Sequence, residues 1–223
     1  MEDRLSIAIE TSCRLGGLAL GRGERLLRVL NFDASSRHAT HLVCRMEELL
    51  KAEGFRPQQV QDIYVSAGPG SFTGLRVGVT VARTLAQAVP GAACVAVPTA
   101  LAVAENCRGL DWRNLGVVFD AREGLIYACL LRRQGESIAT SGEPRVTTPA
   151  EFLAGAPRPL LLTGEGLDYH DLAAPDVTLA DGPLRLPTAE GVWRVGRRLA
   201  QAGQFTEYHH LLPIYTRPPA VLH

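Results

Sequence analysis

The chain has 223 residues, of which 46% are hydrophobic, and it carries 23 basic and 23 acidic side chains. This length supplies a core for one large domain or two small ones. Proteins that bind nucleic acid by themselves usually have a basic surplus, because neutralising phosphates provides most of their affinity. The zero net charge therefore argues against nucleic acid as a direct primary partner.

Cellular context is indicated by two absences in the sequence. No apolar run reaches the length of a membrane span and no signal peptide is visible, which predicts a cytoplasmic protein without a membrane partner. The five cysteines are odd in number and widely spaced, with no C-x-x-C pair. This pattern predicts reduced, mostly buried thiols instead of disulfides or a metal site.

The first half of the chain alternates strands and helices. Apolar periodicity and turn residues predict, in order, strands at 6–10, 15–20 and 26–32, a helix over about 37–53, a strand around 63, a helix over 75–89, a strand at 93–97 and a short helix ending near 106. Gly54 is placed to end the first of these helices.

The second half repeats this order. It predicts strands at 115–120, 125–132 and 136–139, a short helix opened by the capping box Thr148-Pro149-Ala150-Glu151, a strand at 160–163 and a helix over 189–202. Each half thus reads strand–strand–strand–helix–strand–helix. We therefore expect an α/β protein of two related halves with mixed sheets, divided into domains 1–106 and 107–223.

Residues 68–74, Gly-Pro-Gly-Ser-Phe-Thr-Gly, form the most specific motif. They join a predicted strand to a predicted helix, where backbone N–H groups and a positive helix end would suit either an anion or a close backbone contact with another protein. A phosphate-binding P-loop needs a lysine after its last glycine, but Gly74 is followed by Leu75 and Arg76. The hydrolase elbow and the dinucleotide-binding pattern also fail to match.

Two carboxylates occupy equivalent places in the two halves. Glu10 and Asp120 each end the first strand of their half, immediately before a turn. Ligands of open α/β sheets bind at the carboxyl ends of strands, so both side chains are candidates for one inter-domain crevice. The alternative is that each carboxylate only caps its own turn.

Four segments together resemble the TsaB (YeaZ) family, the accessory subunits for making threonylcarbamoyladenosine on tRNA. These segments are Ile-Ala-Ile-Glu-Thr-Ser near the start, the glycine motif with Leu-Arg-Val-Gly after it, Asp-Ala-Arg-Glu-Gly-Leu-Ile-Tyr, and Pro-Ile-Tyr-Thr-Arg-Pro-Pro near the end. The resemblance implies the fold of the actin-like, sugar-kinase and Hsp70 superfamily, with two ribonuclease-H-like domains.

The resemblance also implies a role. The catalytic member is a longer, metal-carrying paralogue, and TsaB proteins are its non-catalytic partners. This implies a TsaD-type catalytic partner, a small TsaE-type ATPase, a homodimer when the chain is alone, indirect contact with tRNA and no cofactor, although residual nucleotide binding is compatible with it. The alternative is a stand-alone enzyme, a nucleotide-dependent phosphotransferase or a peptidase-like hydrolase, that uses Glu10 and Asp120.

Two details qualify this resemblance. The opening Glu10-Thr11-Ser12-Cys13 matches the catalytic paralogue at least as well as the Asp-Thr version usual in the accessory subunit, but Arg14 and Leu15 replace the acidic residues that follow there. His38 and His41 are three residues apart, whereas the paralogue binds metal with His-x-x-x-His. We interpret them as solvated or interface residues and expect no metal site; His209-His210 lies in a predicted loop without a role.

The helix after the glycine motif is apolar over an arc of about 200°, wider than the stripe of somewhat over about 100° that packing on one sheet requires. Gly74, Gly78 and Ala82 recur every fourth residue and would leave a smooth groove. Either a partner subunit or another helix of the same chain could fill it; the resemblance to a dimeric family favours the partner. The predicted partner surface comprises Gly70, Ser71, Phe72, Thr73, Gly74, Val77, Gly78, Val81, Ala82, His38 and His41. We expect Gly78→Leu or Ala82→Arg to weaken association without unfolding the chain.

Overall fold

The computed structural model describes residues 3–33 and 39–215. The described residues fall into two compact units. Of the described residues, the first unit contains 3–33, 39–102 and Pro187–Ile214, and the second contains Val103–Leu186 and Tyr215. None of the described helices is both long and apolar enough to span a membrane.

The first unit is built on a five-stranded sheet with the order β3-β2-β1-β4-β5. Its strands are β1 (Leu5–Glu10), β2 (Leu15–Arg22), β3 (Arg25–Asp33), β4 (Asp62–Gly68) and β5 (Ala93–Pro98). The first three form an antiparallel meander, whereas β4 runs parallel to β1 and β5 runs parallel to β4. Its helices are α1 (Ala39–Ala52), α2 (Phe72–Ala88) and α5 (Ala189–Gln201); α3 (Thr99–Asn106) crosses the boundary between the units in sequence.

Both faces of this sheet are covered, which explains why every residue of β1 and β4 is buried. Successive residues of β1 point to opposite faces. Ile7 and Ile9 join a core with α1 and α2, while Ala8 joins a second core with Trp193 of α5. The apolar, nearly continuous sequence of β1 therefore follows from helices on both sides.

The second unit repeats the same topology. Its sheet has the order β11-β10-β6-β7-β8, with β9 paired to β7. The elements are β6 (Asn114–Asp120), β7 (Ile126–Gln134), β8 (Ser137–Thr140), β9 (Arg145–Thr147), α4 (Pro149–Gly155), β10 (Leu160–Thr163) and β11 (Val177–Leu179). In each unit the first strand is central, each of the next two strands in the sheet is antiparallel to its neighbour, and the two strands on the other side are parallel to the first. The predicted duplication with mixed sheets is confirmed.

The predicted division at residue 106 requires a correction. We expected 107–223 to form the second domain, but α5 packs on the sheet of the first unit. The indole Nε1 of Trp193 donates to Ser6 Oγ at 2.9 Å. A Cβ on Gly196 would overlap the ring of Tyr64, so this helix lies directly against the sheet. The helix counted as the last element of the second half therefore completes the first unit.

Short 3-10 turns complete the described structure, at Pro57–Gln59, Glu165–Asp168, Gly182–Leu184 and Tyr208–His210.

Candidate partner-binding surface

The glycine-rich loop, residues 68–74, carries the chain from β4 into α2. Gly68 has φ 121°, and a Cβ at this position would overlap the carbonyl oxygen of Ile214. A Cβ on Gly70 would overlap the carbonyl oxygen of Ser12. Both glycines are therefore required by close approach of the chain's own backbone.

Hydrogen bonds fix this loop from both sides. The backbone N–H of Ser71 donates to the Ser12 carbonyl at 2.6 Å, and the N–H of Ile214 donates to the Ala67 carbonyl at 2.6 Å. The Ser71 hydroxyl caps α2 by accepting from the Gly74 N–H at 3.3 Å. Two N–H donors of the loop, those of Ser71 and Gly74, are thus used within the chain, which favours a turn that sets the direction of α2.

The predicted groove on α2 lies inside the protein, which corrects part of the predicted surface. Gly74, Gly78, Val81 and Ala82 are all buried. A Cβ on Gly78 would overlap the hydroxyl of Thr11 at the end of β1, and that hydroxyl donates to the Gly74 carbonyl at 2.8 Å.

The wide apolar arc of α2 is covered by the chain itself. Val81 and Ala82 share a core with Leu42 and Met46 of α1 and with Leu211. The alternative in which the same chain fills the groove is therefore correct. The expectation that Gly78→Leu or Ala82→Arg spares the fold is wrong, because both side chains would enter a packed core.

What α2 leaves exposed is a different strip. Phe72 is 44% exposed, Thr73, Arg76 and Thr80 are exposed, and Val77 is half-buried. We call these five residues the outer face of α2. The guanidinium of Arg76 lies 3.8 Å from the centre of the Phe72 ring, a cation–π contact that holds both side chains at the surface. Gly70 and Ser71 of the predicted surface are half-buried at its edge.

The exposed side of α1 adds a second candidate surface. Val43 is 51% exposed, and His41 and Cys44 are also exposed, whereas Leu42 and Met46 point into the core. His41 thus has the accessibility that the interface interpretation requires. His38 lies outside the described residues.

Glu10 does not have the exposure that the crevice interpretation needs. Its side chain is fully buried. One carboxylate oxygen accepts hydrogen bonds from the hydroxyl, at 2.6 Å, and the N–H of Ser12, and the other accepts from the hydroxyl of Ser66. Three donors satisfy this buried charge, as burial of a carboxylate demands. Glu10 therefore ties β1 to β4, and its predicted place facing a ligand is corrected.

Asp120 is partly exposed but is also engaged within its own unit. Its Oδ1 accepts from the Arg122 N–H at 3.2 Å and lies 2.9 Å from Nε2 of His170. The turn after it is left-handed at Arg122, Glu123 and Gly124, with φ of 63°, 53° and 75°. This is the turn-capping role that the sequence offered as the alternative. His170 was not foreseen, because it lies 50 residues along the chain with no local pattern.

A group of potential metal ligands also occurs at Tyr208–His210. The ligand atoms of Glu207, His209 and His210 lie within 4.8 Å of one another, and all three residues are exposed. His209 Nε2 is 3.0 Å from Glu207 Oε2, so a contact within the group already uses two of its ligand atoms. No role is predicted for these two histidines from the sequence, and nothing else in the described surroundings points to a bound ion.

Comparison with known proteins identifies the family. Residues 31–181 match the family model described as TsaD, tRNA N6-adenosine threonylcarbamoyltransferase. The chain is 30% identical over 176 residues to a Bacillus subtilis protein named tRNA threonylcarbamoyladenosine biosynthesis protein TsaB, covering 77% of this chain and 75% of that one. The Escherichia coli protein of the same name is 25% identical over 193 residues, covering 81% of this chain and 80% of that one.

Solved structures agree in fold. A crystal structure from Pseudomonas aeruginosa, described as an uncharacterized protein with similarity to peptidase YEAZ, superimposes with a TM-score of 0.83 at 25% identity. The match covers 96% of this chain and all of that one. The two mixed-sheet halves are therefore those of the actin-like, ribonuclease-H-like fold. With the family model and the B. subtilis relative each matched over more than half of the sequence, the chain belongs to the TsaB (YeaZ) family, within the wider TsaD family.

Proposed function

We propose that this chain is a non-catalytic partner subunit of the machinery that installs threonylcarbamoyl on the adenosine beside the tRNA anticodon. Family membership supports the pathway, since the relatives in B. subtilis and E. coli are named for threonylcarbamoyladenosine biosynthesis. The observation that supports the non-catalytic role is the burial of Glu10, whose carboxylate is hydrogen-bonded to Ser12 and Ser66. A carboxylate committed in this way is not available to bind substrate or abstract a proton.

The proposed partner is a TsaD-type catalytic subunit that binds the outer face of α2 together with the exposed side of α1. The outer face combines an exposed aromatic ring with an arginine held over it. Arginine is enriched among residues that dominate binding energy, and aromatic rings are enriched in interfaces generally. In this arrangement the glycine-rich loop contributes by fixing the direction of α2 and does not contact the partner through a groove.

The proposed oligomeric state, ATPase partner and cellular location are those that the family resemblance implies. The chain forms a homodimer when alone, a TsaE-type ATPase joins the assembly, and the complex works in the cytoplasm. The catalytic subunit makes the tRNA contact, which is consistent with 23 basic and 23 acidic residues in this chain. The alternative of a stand-alone hydrolase or phosphotransferase is not favoured, because it relied on Glu10 facing a ligand.

Binding of the catalytic subunit tests the interface. We expect Phe72→Ala and Arg76→Ala each to raise the dissociation constant about 30-fold, the effect of losing about 2 kcal/mol at a central interface residue. Gln87→Ala is the matched control, because Gln87 is exposed near the other end of the same helix. Titration calorimetry measures the constants, and co-elution confirms them. Equal affinity for all three variants would refute the proposed surface.

Activity assays test the non-catalytic role separately. We expect Glu10→Gln, where it remains folded and still binds the catalytic subunit, to support threonylcarbamoyl transfer at an undiminished rate. The amide retains an oxygen that accepts from Ser12 but turns a donor towards one of the hydroxyls, so the variant's stability must be measured alongside. Loss of transfer in a folded variant with unchanged association would assign chemistry to Glu10 and refute the role.

A further inference from the structure

A cavity of about 570 Å³ opens in the first unit at the amino-terminal ends of β1 and β4. The turn between β2 and β3 and the last turns of α5 complete its wall. It lies at the end of the sheet opposite Glu10, since β1 and β4 are parallel and their carboxyl ends adjoin the glycine-rich loop. Its charged lining consists of Arg4, Arg22, Arg25, Arg197, Glu24 and Asp62.

One of the arginines is held firmly in place. Arg4 donates to both carboxylate oxygens of Asp62, from Nε at 3.0 Å and from Nη2 at 2.7 Å. Asp62 is buried, with 4% of its side chain exposed. This bidentate pair fixes the guanidinium at the cavity wall and neutralises most of its charge.

The other three arginines can bind a ligand. Arg22 pairs with Asp3 and Arg197 with Glu24, but these carboxylates are 74% and 80% exposed. Ion pairs with such exposed partners contribute little to stability, so an incoming anion can displace them. Arg25 is exposed, and its side chain has no hydrogen bond or ion pair with any residue that the structure describes.

Arg197 is the least exposed of these three arginines. Its Nε is buried and has no hydrogen-bond partner in the described structure. The part of Arg197 that a ligand in the cavity can reach is the guanidinium end, whose Nη1 donates to the exposed carboxylate of Glu24 and can exchange that partner for a ligand oxygen.

The charges of the lining favour an anion. Four arginines face two lining carboxylates, and Asp3 pairs with one of these arginines from outside the lining, which leaves a surplus of one positive charge in a chain whose total charge is zero. The carboxyl end of α5 contributes a partial negative charge of only about half a unit, which does not reverse the surplus. Guanidinium groups bind phosphate oxygens in pairs, so several guanidiniums around one cavity match clustered phosphates.

We propose that this cavity, the arginine pocket, binds a small molecule that carries a diphosphate group. Its volume lies within the range of about 300–1,000 Å³ that is typical of small-molecule sites and leaves room beyond two phosphates. A nucleic acid strand would instead require an extended basic surface, which a neutral chain with a local surplus does not supply. The inference is independent of the proposed partner role.

Calorimetric titration of the full chain tests the pocket, with inorganic pyrophosphate and ADP as probes. We expect saturable binding that Arg197→Gln and Arg25→Gln each weaken about tenfold or more, as loss of a charge-assisted hydrogen bond predicts. The probe that binds more tightly shows whether a free diphosphate or a nucleoside diphosphate is preferred. Arg194→Gln is the matched control, because Arg194 lies on the same helix, is exposed and pairs with Glu190 outside the pocket.

Three outcomes would overturn the proposal. These are absence of saturable binding of both probes, equal weakening by Arg194→Gln, and binding of an RNA oligonucleotide that depends on Arg25 and Arg197 while pyrophosphate does not bind. Arg25 is an exposed turn residue, so its variant keeps the test valid if Arg197→Gln does not fold.

Discussion

Replacing Gly78 by alanine tests the contact between β1 and α2. A Cβ at this position would overlap the Thr11 hydroxyl and would lie 3.5 Å from Cγ2 of Val65 and 3.6 Å from Cγ2 of Ile9. The Thr11 side chain would have to move. Its hydrogen bond to the carbonyl of Gly74, buried and 2.8 Å long, would then be lost or stretched.

The magnitude follows from three opposing effects. Inserting a methyl group into a packed core costs about 1–3 kcal/mol. Loss of the Thr11 hydrogen bond costs about a further 0.5–1.5 kcal/mol. Alanine is better than glycine in a helix by about 1 kcal/mol, which offsets part of this. We therefore expect Gly78→Ala to lower the free energy of unfolding of the first unit by about 1–3 kcal/mol.

Urea unfolding followed by tryptophan fluorescence measures this effect. The chain has two tryptophans, Trp193 in the first unit and Trp112 in the second, so a Trp112→Phe background makes the signal report the first unit alone. Thr80→Ala on the exposed outer face of α2 is the control and should change stability by no more than about 0.5 kcal/mol.

A double-variant cycle makes the reasoning refutable. Thr11→Ala removes the hydroxyl that the new methyl group would overlap, so Gly78→Ala should cost little or nothing in that background. If the two substitutions are additive, or if Gly78→Ala alone leaves stability unchanged or raises it, the close contact between Gly78 and Thr11 does not determine how α2 packs.

Three further predictions concern thiols and a helix cap. Cys44 is exposed and the other four cysteines are buried, so one thiol per chain should react rapidly with a disulfide reagent. Binding of the catalytic subunit should slow this reaction, and rapid reaction of two thiols would contradict the structure. Burial raises the pKa of Cys94 and of Cys129 to about 11, so these thiols lose their protons at lower pH in the unfolded chain than in the folded one. The free energy of unfolding that depends on these protons is therefore present below about pH 9 and is lost as the pH rises towards 11. Cys94→Ala, but not Cys44→Ala, should reduce this loss when urea unfolding of the first unit is measured against pH. Thr148→Ala should destabilise the second unit by about 1 kcal/mol and Thr148→Ser should not, because the side chain caps α4; equal effects in urea unfolding followed by Trp112 fluorescence would exclude the cap.

Local sequence patterns predicted most of the elements, because each pattern is set by neighbours along the chain. The capping box at Thr148 and Glu151 is present as predicted, and the predicted strands and helices lie within a few residues of those observed among the described residues. The strands β9 and β11 were not predicted. Each has three residues, too few for an alternating pattern to be recognised.

The sequence did not predict which distant element packs against each helix, because apolar periodicity shows that a face of the helix is covered but not what covers it. The amphipathic pattern of α5 predicts one buried face equally well against either sheet, and only the fit of Trp193 and Gly196 against β1 and β4 decides between them. The small residues of α2 likewise predict a close approach. They do not predict that Thr11 of the same chain is the residue that approaches Gly78.

In the candidate site, too, local features were predicted from the sequence and distant partners were not. Phe72, Thr73 and His41 are exposed where the sequence placed a partner surface. Glu10 was correctly placed at the end of a strand, but a hydroxyl that donates to its buried carboxylate belongs to Ser66, 56 residues away. The environment of a carboxylate depends on such distant partners, and strand position alone does not reveal it.

The return of α5 to the first sheet has a consequence for synthesis on the ribosome. The face of that sheet formed by Ala8, Tyr64 and Val95 packs against α5, which is made only after the whole of Val103–Leu186. At about 5–20 residues per second, the face stays without this cover for on the order of several seconds, while the second unit is being made. During that interval this apolar face of the nascent chain lacks its partner helix, and a chain truncated before residue 187 would lack it permanently.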